Sequence, residues 1–380
     1  MAATGAFAQS SVQIDGIMDA GFQAIDYKGN KVNGIGGNGS STSQINFRGT
    51  EDLGSGLKAE FRVETDWNAV SNNANTGAKK ADGTVAAAST FGNGEIRVGL
   101  ASNVFGRVDL GVVNYNTLTT FTTGQPFGTA IGSGFRAVAL TDTQGITTGL
   151  TATGDYNYNG MGGSQVRSDN SIKYTSPTFY GFNGSLYKAF KQTKAVNNNF
   201  STTLGAYDMQ GTEELGLGYA NGPLAVSFSN LKQDYSGVAM NAATPALENN
   251  IKATVNTLGA NYAFGPAKVY GLYQNTKMDG GAGAFKADYW ALSGTYQLGS
   301  VVLMASYGEL KDKSDGASKD KAKLTALGAD YNLSKRTAVY ARYEQIRDQA
   351  GFMPAAAFAA FSSTTGDTRS RTAIGVRHAF

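Results

Sequence analysis

The last dozen residues, Arg369-Ser-Arg-Thr-Ala-Ile-Gly-Val-Arg-His-Ala-Phe380, alternate strictly. Thr372, Ile374, Val376, His378 and Phe380 fall on one side of an extended strand; Arg369, Arg371, Gly375 and Arg377 fall on the other, because successive strand side chains point to opposite faces. A soluble strand so patterned buries its apolar side in a core. Here the pattern recurs about sixteen times, with charge or glycine on nearly every polar face. Apolar faces looking outward and polar faces looking inward describe a closed β-barrel in a bilayer, where every backbone group must be paired and no sheet edge can face lipid.

The individual strands follow. From about Val12 to Ile25, Val12, Ile14, Gly16, Met18, Ala20 and Phe22 oppose Gln13, Asp15, Asp19 and Gln23. Around the turn-rich stretch Gly49–Gly56, Ile45 and Phe47 alternate with Asn46 and Arg48, and Leu57, Ala59, Phe61 and Val63 with Lys58, Glu60, Arg62 and Glu64. Four charges on one strand face suit a hydrated lumen rather than a sandwich core. Ile96, Val98 and Leu100 alternate with Glu95 and Arg97; beyond Asn103–Gly106, Val108, Leu110 and Val112 alternate with Arg107, Asp109 and Gly111. Further short turns fit near Ser176-Pro177, Gly222-Pro223, Gly265-Pro266, Gly299 and Ser334. The count is sixteen strands, seven short turns and eight longer loops, the outer-membrane arrangement. The faces near Lys188 and along Ala267–Gln274 fit either parity, and a slip of one residue inverts a strand. Tyr262, Phe264, Tyr296, Tyr307, Tyr331, Tyr343 and Phe380 lie near strand ends on the apolar face, where amphipathic rings settle at bilayer interfaces.

Composition agrees. Among 380 residues, 50 are glycine and only 6 proline, which suits long curved ladders that proline would interrupt. Charged residues make up 16% and the net charge is +3, dispersed in a way that argues against nucleic acid as a partner. Cysteine is absent, so no disulfide framework exists. No apolar run approaches the roughly 18 residues of a membrane helix. Ala6-Phe7-Ala8 has the small-x-small form of a signal-peptidase site, so residues 1–8 are expected to be a signal-peptide remnant and residues 9–380 a single barrel domain.

The chain resembles the general porins of β-proteobacterial outer membranes, the Neisseria/Comamonas-type family. Ser11-Val-Gln-Ile-Asp-Gly-Ile-Met-Asp-Ala-Gly21 is similar to that family's first strand, and Asn46-Phe-Arg-Gly-Thr-Glu-Asp-Leu-Gly-Ser-Gly-Leu-Lys-Ala59 to its most distinctive stretch. Asp169–Pro177, Leu333–Tyr340 and Gly375–Phe380 match in the same order. The resemblance implies a 16-stranded antiparallel transmembrane β-barrel, assembled as a homotrimer in the Gram-negative outer membrane among lipid and lipopolysaccharide. It implies a third loop, about residues 113–164, folded inward as a constriction. It also implies that Phe380 is read by the barrel-assembly machinery. The family's Pro-Glu-Phe-Gly motif appears here as Gln125-Pro-Phe-Gly128 without its acid, and Val113–Leu140 holds Arg136 but no carboxylate.

Catalysis is not expected. The only histidine, His378, lies on the bilayer-facing side at the end of the chain, so a Ser-His-Asp arrangement is hard to build. Acid pairs such as Glu51-Asp52 and Glu213-Glu214 read as solvated groups beside turns and strand starts, and no spacing indicates a metal or cofactor site. What remains is an inward basic set: Arg48, Arg62, Arg97, Arg107, Arg136, Arg167, Lys173, Arg342, Arg371 and Arg377. Arg48, Arg97, Arg136, Arg167, Arg62 and Arg107 are the expected selectivity residues, each weighed against a salt bridge with Glu60, Glu64, Glu95 or Asp109. By the resemblance, Arg48, Arg97 and either Arg136 or Arg167 would face the constriction. The expected function is a diffusion channel for small hydrophilic solutes that prefers anions. A substrate-specific channel and a plugged surface barrel, adhesin or enzyme, are the alternatives.

Overall fold

A computed structural model describes residues 10–27, 30–67, 69–70, 91–134, 166–190, 211–234, 252–279, 285–313, 321–348 and 367–380. The proposed signal remnant, Arg136 and the second half of the third loop lie outside the described residues. The elements are β1 (Ser10–Tyr27), β2 (Asn30–Gly37), β3 (Gln44–Gly54), β4 (Leu57–Asp66), β5 (Ile96–Ser102), β6 (Gly106–Asn114), α1 (Asn116–Thr123), β7 (Arg167–Thr175), β8 (Phe182–Ala189) and β9 (Gly211–Asn221). They continue with β10 (Leu224–Asp234), β11 (Lys252–Phe264), β12 (Ala267–Asp279), β13 (Phe285–Leu298), β14 (Val301–Asp312), β15 (Lys321–Asn332), β16 (Thr337–Asp348) and β17 (Asp367–Ala379).

From β3 onward each strand pairs antiparallel with its sequence neighbours, and β1 closes the sheet against β17, from Ile17↔Ala379 to Tyr27↔Arg369. Both β2 and β3 pair with β1, over Ala20–Tyr27 and Ser10–Ile17 respectively, so they are two halves of one stave. The wall is therefore the expected sixteen-stave antiparallel barrel. All seven short turns fall where the sequence places them.

The alternation pattern does not anticipate the break within that second stave. Gly37 pairs Ala20 while Gln44 pairs Ile17, so seven chain steps span three positions of β1. The extra chain is gathered by the Asp19 carboxylate, which accepts the backbone N–H groups of Gly39, Ser40 and Ser41 and the Tyr340 hydroxyl. A carboxylate with several charge-assisted donors is well satisfied in a buried site.

Outward parity carries the apolar surface: Val12, Ile14, Phe22, Val98, Leu110, Leu217, Leu292, Leu327, Ile374 and Val376 are all exposed. The two undecided regions resolve differently. Lys188 points outward and pairs with Glu213. In β12, Leu272 and Gln274 are buried inside while Val269 and Tyr273 are exposed outside. Alternation misleads at Leu272 because this stretch of inner wall is a bed for the third loop. So are Tyr187, Leu231 and Val255, which cluster inside with Val113 and Tyr115.

The end of the seam is pinned by Phe380. Gly16 N–H donates to the Phe380 carbonyl at 3.1 Å, and Phe380 N–H to the Gly16 carbonyl at 3.0 Å. A Cβ on Gly16 would come within 2.6 Å of the Phe380 ring. Gly16 is thus small because both the Gln44 carbonyl oxygen and the terminal ring lie over it.

Candidate functional site in the barrel lumen

The third loop begins later in sequence than expected, since Val113 and Asn114 still belong to β6. A bulge between Gly111 and Val113 bends the chain inward, and α1 then lies on the inner faces of β9–β12. Glu214 holds the start of α1: its Oε1 accepts the Thr117 N–H at 2.6 Å and the Thr117 hydroxyl at 2.7 Å, and its Oε2 accepts the Asn116 N–H. A carboxylate here meets both the unpaired N–H groups and the positive end of the helix dipole. Thr120 Oγ1 lies 2.7 Å from Ser227 Oγ, and Asn261 donates to the Thr123 carbonyl at 2.8 Å. Close approach requires Gly259, whose Cβ would collide with the Thr120 carbonyl oxygen. Glu214, read from sequence as a solvated acid, is in fact a buried clamp; nothing local to Glu213-Glu214 signals this, because its partners are about a hundred residues away.

Beyond α1 the loop crosses the inner wall toward β16. In Gln125-Pro-Phe-Gly128 the side chain of Gln125 folds back, accepting the Phe127 N–H at 2.7 Å and donating to the Gly128 carbonyl at 2.6 Å. Phe127 packs on Met304 and Ala326, with the Arg342 guanidinium 5.9 Å from its ring centre. Ile131 packs on Tyr340 and Ala373, and Gly132 N–H donates to Glu344 Oε2 at 2.9 Å. Thr129 touches Thr42 of the inward β2–β3 excursion at 3.4 Å. The described loop, Tyr115–Gly134, is thus an uncharged shelf seated inside the barrel.

The predicted arginines divide by environment. Arg62, Arg97 and Arg107 line the inside of β4–β6 in a continuous ion network. Arg62 meets Glu95 at 2.8 Å and also Glu64; Arg97 meets Asp109 at 2.9 Å, Glu95 at 3.6 Å and Glu60 at 3.9 Å; Arg107 meets Asp109 at 2.7 Å and Glu60 at 3.2 Å. Arg167 sits at the loop end of the same wall, near Asp66 at 3.5 Å and Glu64 at 3.9 Å. On this wall the salt-bridge alternative is the observed one. Arg48 is different: among the described residues its one ion-pair partner is Asp15, at 2.9 Å, and its side chain keeps 44% of its surface open.

A second basic group stands on β16 and β17. Arg342 meets Asp330 at 2.7 Å, and Arg369 and Arg371 share Glu344 at 3.1 and 2.8 Å. Arg377 forms no ion pair among the described residues, and its Nε has no hydrogen-bond partner there. Four guanidiniums face two carboxylates here, while nearby Asp19 is occupied by backbone N–H groups.

Known proteins point the same way. The model of the Gram-negative porin family matches residues 1–351. The chain belongs to the Gram-negative porin family. Outer membrane porin protein 32 of Delftia acidovorans is 32% identical over 394 residues, covering 100% of this chain and 97% of that protein. An outer membrane porin protein of Bordetella pertussis is 27% identical, covering 89% of each chain. Among solved structures, the anion-selective porin from Comamonas acidovorans superposes with a TM-score of 0.74 at 28% identity, over 98% of this chain and 100% of that one. This porin is accordingly an outer-membrane channel for small hydrophilic solutes, crossing the membrane with strands.

Proposed function

We propose that the channel passes small hydrophilic solutes without catalysis and prefers anions. One observation carries this reading: the shelf facing the pore is uncharged, while Arg48 and Arg377 are the least neutralised of the inward arginines among the described residues. At an effective dielectric of about 20, a unit charge roughly 5 Å away contributes about 3 kcal/mol before screening. Even a tenth of that, left after salt screening, biases permeation. The anion-selective Comamonas porin supports the same direction.

The geometry changes which substitutions test it. Arg97→Glu would place a fourth acid among Glu60, Glu95 and Asp109 and is expected to damage the wall. Arg48→Glu with Arg377→Glu is expected to move the reversal potential across a salt gradient toward cation preference. A wild type that prefers potassium over chloride, or a double variant with an unmoved potential, would overturn the reading.

The porin is further proposed to be a homotrimer that contacts outer-membrane lipid and lipopolysaccharide and is inserted by the barrel-assembly machinery. Ala20 and Ala24 present small outward side chains on β1, which suit close packing of a second wall better than lipid. Ala20→Arg is expected to yield monomers that remain folded, seen as faster-migrating, still heat-modifiable species on semi-native gels. A fully trimeric variant would refute this.

A further inference from the structure

Between Gly37 and Gln44 the second stave leaves the sheet. The residues of that excursion, Asn38–Ser43, are all uncharged and close into a turn of their own. Ser43 N–H donates to the Asn38 side-chain oxygen at 2.8 Å, and Asn38 itself takes the left-handed conformation, φ 61°. Asp19 holds the turn at both ends. Its Oδ1 accepts the Gly39 N–H at 3.1 Å and the Tyr340 hydroxyl at 2.7 Å, and its Oδ2 accepts the Ser40 and Ser41 N–H groups at 2.9 and 2.8 Å. Its backbone N–H donates to the Ser43 hydroxyl oxygen at 3.0 Å, and that hydroxyl donates to the Asp19 carbonyl at 3.2 Å. Asp19 is fully buried, and these donors fill the roughly four acceptor sites of a carboxylate.

The turn meets the far end of the third loop. Thr129 is exposed at the lumen edge of the shelf, and its Oγ1 lies 3.4 Å from Thr42 Oγ1. Arg342 touches both segments, donating to the Ser40 hydroxyl at 2.9 Å while its guanidinium stands 5.9 Å from the Phe127 ring centre. Tyr340, which reaches Asp19, also packs against Ile131 of the shelf. A Cβ on Gly39 would collide with the Tyr340 hydroxyl, so the turn sits as close to β16 as a backbone can. The rim of the passage therefore runs from α1 along the shelf to Thr129, across to Thr42, and on through Gln44 to the inward Arg48 of β3.

We infer that Asn38–Ser43 is the second half of the constriction and that Asp19 is its positioning residue, setting the width of the passage without touching the solute. An aperture bounded by two segments folded inward from different staves has a fixed width only if something holds one segment relative to the other. Glu214 fixes where the shelf begins. Asp19 fixes the turn that faces the shelf's far end and ties it, through Tyr340, to the residue on which Ile131 rests.

The test uses the full-length porin, which has no cysteine of its own. Asp19→Ala strands the N–H groups of Gly39, Ser40 and Ser41 and the Tyr340 hydroxyl. Vesicle swelling with uncharged sugars reads width alone, because the lost charge has no hold on a neutral solute. The rate for a trisaccharide relative to a monosaccharide is expected to rise severalfold, with Asp19→Asn, which keeps part of the acceptor set, in between. Thr42→Cys with Thr129→Cys is expected to form a disulfide on oxidation. Adding Asp19→Ala should slow that reaction about tenfold, the population shift that goes with one buried donor left unpaired. Once formed, the disulfide should restore the wild-type sugar ratio in the Asp19→Ala background, which a residue needed only for barrel stability would not allow. If Asp19→Ala does not fold, Thr42→Cys alone decides: coupling N-ethylmaleimide to it should lower single-channel conductance, since that side chain stands at the rim. An unchanged sugar ratio in folded Asp19→Ala, a cysteine pair that does not join, a disulfide that restores nothing, or a modified Thr42→Cys that conducts as before would each overturn the assignment. Failure of the channel reading itself would appear separately, as absent conductance of the unmodified porin in planar bilayers.

Discussion

Deleting Phe380 is expected to lower the yield of assembled barrel at least about tenfold, for the barrel has one seam and this residue pins its end. The deletion removes both backbone hydrogen bonds to Gly16 and the ring lying over it. Each hydrogen bond is worth about 1 kcal/mol, and the ring, although 40% exposed, covers the backbone at Gly16, together a sizeable share of the margin of a typical fold. The reciprocal variant, Gly16→Leu, keeps the C-terminal sequence but leaves no room for the ring, so it separates packing from recognition of the terminus. Both are expected to show little heat-modifiable species on gels. Barrels that do form should conduct normally, since Phe380 faces outward. Normal assembly with altered conductance would count against this account.

Glu214→Ala is expected to leave the barrel assembled but unseat the third loop. The substitution strands the Asn116 and Thr117 N–H groups and the Thr117 hydroxyl in a buried site. Leaving a buried donor unsatisfied costs about 1–3 kcal/mol, and with three donors stranded the loss exceeds what the Thr120–Ser227 and Asn261–Thr123 contacts supply at about 1 kcal/mol each. Single-channel records should show markedly larger open-state current noise and closure at lower voltage, with heat-modifiability retained. Glu214→Gln, which can keep part of the contact set, should be intermediate. Quiet wild-type currents in the alanine variant would rule out Glu214 as the anchor.

These two residues differ in how far the sequence reveals them. Phe380 is visible as the end of an alternating strand, although its relation to Gly16 is not. Glu214 is invisible. Adjacent to Glu213 and followed by Leu215, it reads as an ordinary polar residue of a lumen-facing row, and only α1 laid across it makes it an anchor. The arginines fall between. Parity puts Arg48, Arg62, Arg97 and Arg107 inside, but parity cannot say which acids stand beside them on neighbouring staves. The network of Glu60, Glu95 and Asp109 moves the expected selectivity from Arg97 toward Arg48 and Arg377.

The sequence by itself determined most of what repeats with a period of two or is confined to a turn: the sixteen staves, the outward face away from Lys188 and Ala267–Gln274, the seven short connections and the inward parity of Arg48, Arg62, Arg97 and Arg107. That information is local, because a strand's two faces are set by successive residues and a turn by a few. The tertiary structure decided what depends on distant partners. Tyr340 reaches Asp19 and Gly132 reaches Glu344 across 321 and 212 positions, and Leu272 turns inward because a loop more than a hundred residues away lies over it. Closing the barrel brings those groups together, and only then does a lumen charge become either a free field for solutes or half of an ion pair.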